Sequence, residues 1–197
     1  MGFKVKDHYF KKAKKENYFA RSIYKLEEID QKYKVLRKND TVLDLGYHPG
    51  SWMQYTSQRV GDQGKVVGID IKEINTKIQA LSNVTVFKKD INDVKDLSDL
   101  GVSGKFDVVV SDMAPNTTGI KSVDQARSLN LVEMVFYNLP TFLKENGNFV
   151  IKVFDSHDAQ EFLKKQKTVF KNFYFLKPKS TRSISKEFFV IGIGYQG

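Results

Sequence analysis

The chain has 197 residues, no cysteine and three histidines, and its 32 lysines and arginines outnumber 23 acids for a formal net charge of +9. That length suits one domain over residues 1–197 with a core of its own. Without thiols there are no disulfides or thiolate metal sites, and three scattered histidines speak against zinc, so no metal is expected. No apolar run reaches the roughly 18 residues of a membrane span, and the opening MGFKVKDHYFKKAKK lacks an apolar signal core, so a soluble cytoplasmic protein with no membrane partner is expected.

The chain begins basic: residues 1–15 hold six lysines against Asp7, among them Lys11, Lys12, Lys14 and Lys15, and a basic arm over about residues 1–20 is expected. A helix at about 17–33 follows, with Ile23, Leu26, Ile29 and Tyr33 at helical spacing. Strands are expected at Thr41–Leu45, Lys65–Asp70, Val84–Phe87, Phe106–Ser111, Asn148–Phe154, Phe173–Leu176 and Phe188–Ile193, with further helices at about 51–60, 124–145 and 157–171. This alternation predicts an α/β fold, a mainly parallel sheet with helices on both faces. Near the other end, residues 162–186 carry eight lysines and arginines and no acid. If the fold joins the two basic ends, they form one positive face suited to a phosphate backbone; otherwise they are two solvated tails.

In a parallel sheet, ligands bind outside the carboxyl ends of the strands. The first strand ends in DLGYHPGSW, Asp44 to Trp52, where Gly46 and Gly50 let the backbone turn sharply toward a bound group, although the spacing is not G-x-G-x-x-G. Asp70 ends the second strand, where a carboxylate accepts hydrogen bonds from ribose hydroxyls, and Asp90 follows the third, within reach of an adenine amino group. Any one of these acids alone reads as a helix cap or a surface charge. Three at successive strand ends favour an adenosine-containing cofactor. The fourth strand ends at Asp112 in SDMAPN, where Pro115 blocks an immediate helix. The fifth, GNFVIKVF, is apolar apart from Lys152, whose burial costs several kcal/mol unless it is compensated. Neighbouring strand ends would bring Asp112 and Lys152 into one crevice, either as a functional pair or as a structural ion pair.

Taken together, DHYFKKAKKENYFARSIYKLEEID, DLGYHPGSW, SDMAPN, IKVF and KPKSTRSISKEFF resemble the FtsJ/RrmJ family of S-adenosylmethionine-dependent RNA ribose 2′-O-methyltransferases, in order and spacing, from about Asp7 to Gly192. The resemblance implies a Rossmann-like sheet of seven strands, the last antiparallel, and a catalytic tetrad of Lys25, Asp112, Lys152 and Glu187. It implies S-adenosylmethionine as cofactor, held in the loop of Asp44, Gly46, Gly50 and Trp52, with Asp70 at its ribose, Asp90 at its adenine and Asp112 beside its methionine part. Trp52 reads alternatively as the staple of a small core.

RNA contacts fall to Lys11, Lys12, Lys14, Lys15 and Arg21 ahead of Lys25, and to Lys177, Lys179 and Arg182 ahead of Glu187. Tyr18 and Phe19 either stack on splayed bases or belong to the core. The chain departs from the family's pattern at Tyr47 and His48, where alanines are usual, at Ser51, where glycine is usual, and at Phe19, where a second arginine is usual. The bulkier loop residues are expected to narrow the methionine pocket. A compact monomer of this kind resembles the bacterial and organellar branch that methylates a uridine of large-subunit rRNA, free or within the large ribosomal subunit; a sister branch modifies the tRNA anticodon loop. A non-catalytic RNA-binding assembly factor has no need of a buried lysine, and a nicotinamide oxidoreductase conflicts with the glycine spacing and the basic ends.

Overall fold

The computed structural model describes residues 8–197, so Lys4, Lys6 and Asp7 of the expected basic arm lie outside the described residues. In chain order the principal elements are α1 (His8–Lys15), α2 (Ile23–Tyr33), β1 (Thr41–Leu45), α3 (Ser51–Val60), β2 (Lys65–Asp70), β3 (Val84–Lys88), β4 (Phe106–Ser111), α4 (Lys121–Phe142), β5 (Leu143–Phe154), α5 (His157–Gln166), β6 (Phe170–Leu176) and β7 (Glu187–Tyr195). The strands form a seven-stranded sheet in the order β3-β2-β1-β4-β5-β7-β6. Strands β1 to β5 run parallel, and β7 is antiparallel to both of its neighbours. The expected α/β class and the antiparallel last strand are therefore present.

Alternating side chains along each strand build two cores, one on each face. Leu43, Val109, Phe149, Ile151 and Val153 pack with α4 and α5, through residues such as Val135, Leu139 and Leu163. Val42, Val108, Val110, Val150 and Phe189 pack with Leu26 and Ile29 of α2 and Met53 of α3. Asp30 of α2 is buried, yet its carboxylate accepts from the Tyr55 hydroxyl (2.9 Å), Arg59 Nε (2.8 Å) and the Leu36 N–H (2.9 Å), which ties α2 to α3.

Three expected boundaries are shifted by tertiary contacts. The helix expected from residue 17 begins at Ile23; Asn17, in a left-handed conformation with φ 59°, lies just past the end of α1 instead. The expected helix at 124–145 ends at Phe142, where Leu143 pairs with Phe106 of β4 and starts the strand early. The expected helix at 157–171 ends at Gln166, and Phe170 already belongs to β6, its ring stacked on Phe149 with centroids 5.8 Å apart.

Candidate active site

At the carboxyl end of the sheet the chain leaves β1 through Gly46, whose φ of 74° disfavours other residues; a Cβ there would also collide with Met113. The turn opens a cleft of about 540 Å³ whose walls include Gly46, His48, Asp70, Asp90, Asp112 and Met134. Asp70 uses one oxygen to accept from the His48 N–H (2.9 Å) and the other to accept from the Lys72 N–H (2.9 Å), which shapes the loop and leaves lone pairs toward the cleft. Asp90 caps a short 3₁₀ turn by accepting from the Asn92 N–H (2.8 Å), so it is at once a cap and a cleft residue. Beneath the cleft, Asp44 is 1% exposed and neither carboxylate oxygen has a hydrogen-bond partner. Burial, and then the charges of Asp112 and Asp70, push its pKa well above the usual carboxylate range.

Several loop expectations are corrected. Trp52 does not line the cleft: it is 2% exposed, its Nε1 donates to the Ser22 carbonyl (2.8 Å), and its ring packs 5.8 Å from Phe189, so it is the core staple. Gly50 is also absent from the cleft wall; its φ of 110° starts α3 against Ile78. Tyr47 does not narrow the cleft, since its buried ring packs toward Gly68 and Met53 in the core under α3. Ser51 is buried with its hydroxyl 2.8 Å from that of Ser22. Of the departures in this loop, only His48 faces the cleft.

Ile71, Arg127 and Asn130 are cleft residues that sequence reading missed. Ile71 left a signal, an apolar residue directly after a strand-end acid, and it is 66% exposed at the cleft lip. Arg127 and Asn130 left none, because their place depends on how α4 docks.

Register brings the four tetrad candidates together. Ser111 pairs with Ile151, so Asp112 emerges beside Lys152, while Lys152 pairs with Phe189 and Phe154 with Glu187, both on β7. Lys152 is 8% exposed; its Nζ donates to the Asp112 main-chain carbonyl (2.5 Å) and lies 3.0 Å from the carboxylate Oδ1, an ion-pair contact without hydrogen-bond alignment. From the facing helix α2, Lys25 reaches down to an ion pair with Glu187 and lies 5.7 Å from the Phe189 ring centroid. Two ion pairs thus sit side by side on the α2 face of the sheet. A second cleft, of about 630 Å³, opens over the Lys25–Glu187 pair, lined by Arg21, Lys25, Thr117, Arg182, Ile184 and Glu187 among others, whereas Asp112 lines the first cleft and Lys152 lies in the lining of neither. Asp112 to Asn116 wall the first cleft and Thr117 the second, so one loop separates the two.

Helix α2 carries contacts to both basic stretches. Helix α1, which carries Lys11, Lys12, Lys14 and Lys15, packs on α2 through Tyr9 and Tyr24, with Lys12 Nζ 4.4 Å from the Tyr24 ring centroid. The Arg21 guanidinium donates to the Ser180 carbonyl, and Glu28 accepts from the N–H groups of Lys179 (2.7 Å) and Ser180 (2.9 Å), stitching α2 to the segment that leads into β7. Burial and the facing charge of Arg182 lower the pKa of Arg21. Lys177 and Lys179 are exposed on that segment. Tyr18 and Phe19 are half-buried against the α2 core and do not line either cleft.

A Rossmann-like sheet with a cofactor-sized cleft at its strand ends and a charged crevice beside it defines a methyltransferase fold. The structure matches Aeropyrum pernix fibrillarin, solved with natively bound S-adenosyl-L-methionine, at a TM-score of 0.65 and 14% identity over 87% of this chain and 76% of that one, a likeness of fold. A Plasmodium falciparum protein described as a ribosomal RNA methyltransferase matches at a TM-score of 0.79 and 27% identity, covering 91% of this chain and all of that one. The FtsJ-like methyltransferase family matches residues 18–195, and the chain belongs to that family. Its relatives include proteins named ribosomal RNA large subunit methyltransferase E from Bdellovibrio bacteriovorus, 44% identical over 98% of both chains, and Oleidesulfovibrio alaskensis, 44% identical over 98% of this chain and 94% of the other.

Proposed function

We propose that the protein is an S-adenosylmethionine-dependent ribose 2′-O-methyltransferase that acts on a uridine of large-subunit rRNA. The observation that carries this reading is the convergence of Lys25, Asp112, Lys152 and Glu187, from four separate elements, at the wall between an acid-lined cleft and a basic one. The names of the 44% identical relatives support the choice of rRNA. Residues 1–197 act as one methyltransferase domain with a basic arm over about 1–20, in the cytoplasm and as a monomer. Among the described residues no helix is long and apolar enough to cross a membrane.

The first cleft fits the cofactor chemically. Asp70 and Asp112 line it with acceptors and negative charge suited to a cationic ligand with ribose hydroxyls, while Asp44, with both oxygens unpartnered and its neutral form favoured, lies buried beneath it. When bound, the cofactor supplies a methyl group on a sulfonium sulfur. Asp70 and Asp90 then hold the nucleoside part, and exposed Ile71 covers apolar surface beside it.

A ribose 2′-hydroxyl is a weak nucleophile that must be held in line and relieved of its proton as it attacks. Lys152 serves as the general base or hydroxyl-orienting group, with Asp112 as its partner. Lys25 and Glu187 position the nucleotide and balance charge; because the four are coupled, the proton belongs to the cluster. Arg21 and Arg182 in the second cleft meet the phosphates that flank the target ribose.

The test is to map ribose methylation on total RNA from cells with and without the protein, and to repeat it with purified protein, S-adenosylmethionine and rRNA. One lost large-subunit ribose methyl that returns in vitro is the expected result. Loss in a tRNA anticodon loop transfers the assignment to that substrate, and no methyl lost anywhere leaves a non-catalytic RNA-binding factor.

The two clefts should respond to different substitutions. Asp70→Ala is expected to weaken cofactor binding by roughly 1–3 kcal/mol, because a desolvated ribose hydroxyl and the two N–H groups of the loop lose their acceptor. Calorimetry checks this, and RNA affinity should hardly move; equal loss of both assigns Asp70 to the fold. Neutralising Lys11, Lys12 and Lys14, or Lys177, Lys179 and Arg182, should instead weaken RNA binding while sparing the cofactor. The slope of log affinity against log salt should fall by about 0.7 to 0.9 for each phosphate that the protein no longer neutralises. An unchanged slope for either set identifies that end as a solvated tail.

A further inference from the structure

The face of the sheet that carries Lys152 and Glu187 continues outward to its edge strand. Lys152 pairs with Phe189 on β7, and Phe189 pairs with Leu176 on β6, so Leu176 is level with Lys152 two strands away. Leu176 packs into the core under α2, which places Tyr174, two residues earlier on β6, on that same face. There its ring stacks on Tyr33, the last residue of α2, with centroids 4.7 Å apart and planes at 27°. Lys32 Nζ lies 5.1 Å from the Tyr33 ring centroid. Tyr174 is nevertheless 39% exposed on a strand whose outer edge has no partner strand among the described residues. Strand spacing and rise put it on the order of 12 Å from Lys152.

We propose that the Tyr33–Tyr174 pair is a stacking platform for an unpaired RNA base a few nucleotides from the target ribose. The inference rests on the RNA-methyltransferase reading and extends its substrate surface beyond the second cleft. Charge argues for RNA as the occupant: residues 162–186, which contain all of β6, hold eight lysines and arginines and no acid. Continuity argues for it as well, since β6 feeds directly into exposed Lys177 and Lys179, and α2 joins Lys25 at one end to Tyr33 at the other. An aromatic face beside cations, with no acid in the same segment, suits a base and its phosphates, because every base offers a π-face to stack. An unpaired, splayed nucleotide is the form in which RNA presents that face.

The experiment measures binding and methyl transfer of Tyr174→Ala and Tyr174→Phe with large-subunit rRNA transcribed in vitro. Tyr174→Ala should raise the RNA dissociation constant about five- to a hundredfold. The salt slope should stay as in the wild type, because stacking releases no counterions, and the rate at saturating RNA should be retained. Tyr174→Phe, which keeps the ring, should bind as the wild type does. Unchanged affinity of Tyr174→Ala for the naked transcript overturns the platform, as does an equal loss in Tyr174→Phe. Weakened binding to assembled large subunits alone would mean that the edge docks a ribosomal protein, and the RNA assignment is then wrong. Binding is read without turnover, so the result stands whether or not the wild type methylates that transcript, and the failure of this inference is separable from failure of the functional reading.

Discussion

Lys152→Ala should reduce methyl transfer by about 10²–10⁴-fold, the contribution expected of a positioned acid-base group, while S-adenosylmethionine binding stays close to that of the wild type. In the proposed mechanism the lysine acts on the attacking hydroxyl, and the cofactor cleft is lined by other residues. Because Lys152 is buried and paired with Asp112, the substitution also leaves a carboxylate short of its counterion, so the melting temperature should fall as well. Lys152→Arg separates the two effects. It keeps the positive charge but replaces a compact amine with a planar guanidinium that cannot give up its proton. A folded, inactive Lys152→Arg with intact cofactor affinity is the expected outcome. Near-wild-type turnover in Lys152→Ala, or full activity in Lys152→Arg, would reduce the pair to a structural ion pair.

The second large effect is a pH-dependent one at Asp44. Its folded-state pKa is raised by burial and by two neighbouring carboxylates. The protonated form is therefore favoured in the native state, and the native protein binds more protons than the unfolded chain. The Asp44 contribution to stability is fully present below the ordinary aspartate value of about 3.9, and it is lost as pH rises through the raised value. Asp44→Asn has no such titration. The difference in melting temperature, variant minus wild type, should grow in the variant's favour from pH 4 to pH 8, by several degrees if the buried charge costs a few kcal/mol. The same substitution turns one of the two unpartnered acceptors beneath the cleft into a donor, and cofactor affinity should drop by roughly 1–3 kcal/mol. Gain of apo stability with loss of binding would mark a residue retained for its ligand. A pH-independent difference in melting temperature would show that Asp44 ionises normally; unchanged cofactor affinity would remove it from the cofactor's reach.

Much of the site was legible in the chain because strand ends in a parallel sheet are ordered by connectivity. Asp70 and Asp112 each end an apolar run that reads as a buried strand, Asp90 follows a half-exposed one, and all three line the cleft. Lys152 stood out for the complementary reason, a charge between buried Phe149, Val150 and Ile151 on one side and buried Val153 on the other. The loop after β1 was harder. Gly50 and Trp52 sit in a motif that carries a cofactor turn, but a motif does not say toward which side of the backbone each residue points. Trp52 turned into the core because its indole N–H finds the Ser22 carbonyl there, and Tyr47 because Gly68 leaves room for its ring.

What the sequence by itself determined is the alternation of strands and helices, the acids and the lysine at the strand ends, and the basic character of both chain ends. These depend on local periodicity and on charge, which do not need a partner to be read. The tertiary structure alone decided that α2 lies across β5 and β7 so that Lys25 meets Glu187, that Glu28 and Arg21 fasten the α2 region to the basic segment ahead of β7, and that Tyr33 finds Tyr174. Each of these pairings joins residues far apart in the chain. Their meeting is set by sheet register and by the packing of one helix on a face, quantities that no window of neighbouring residues contains.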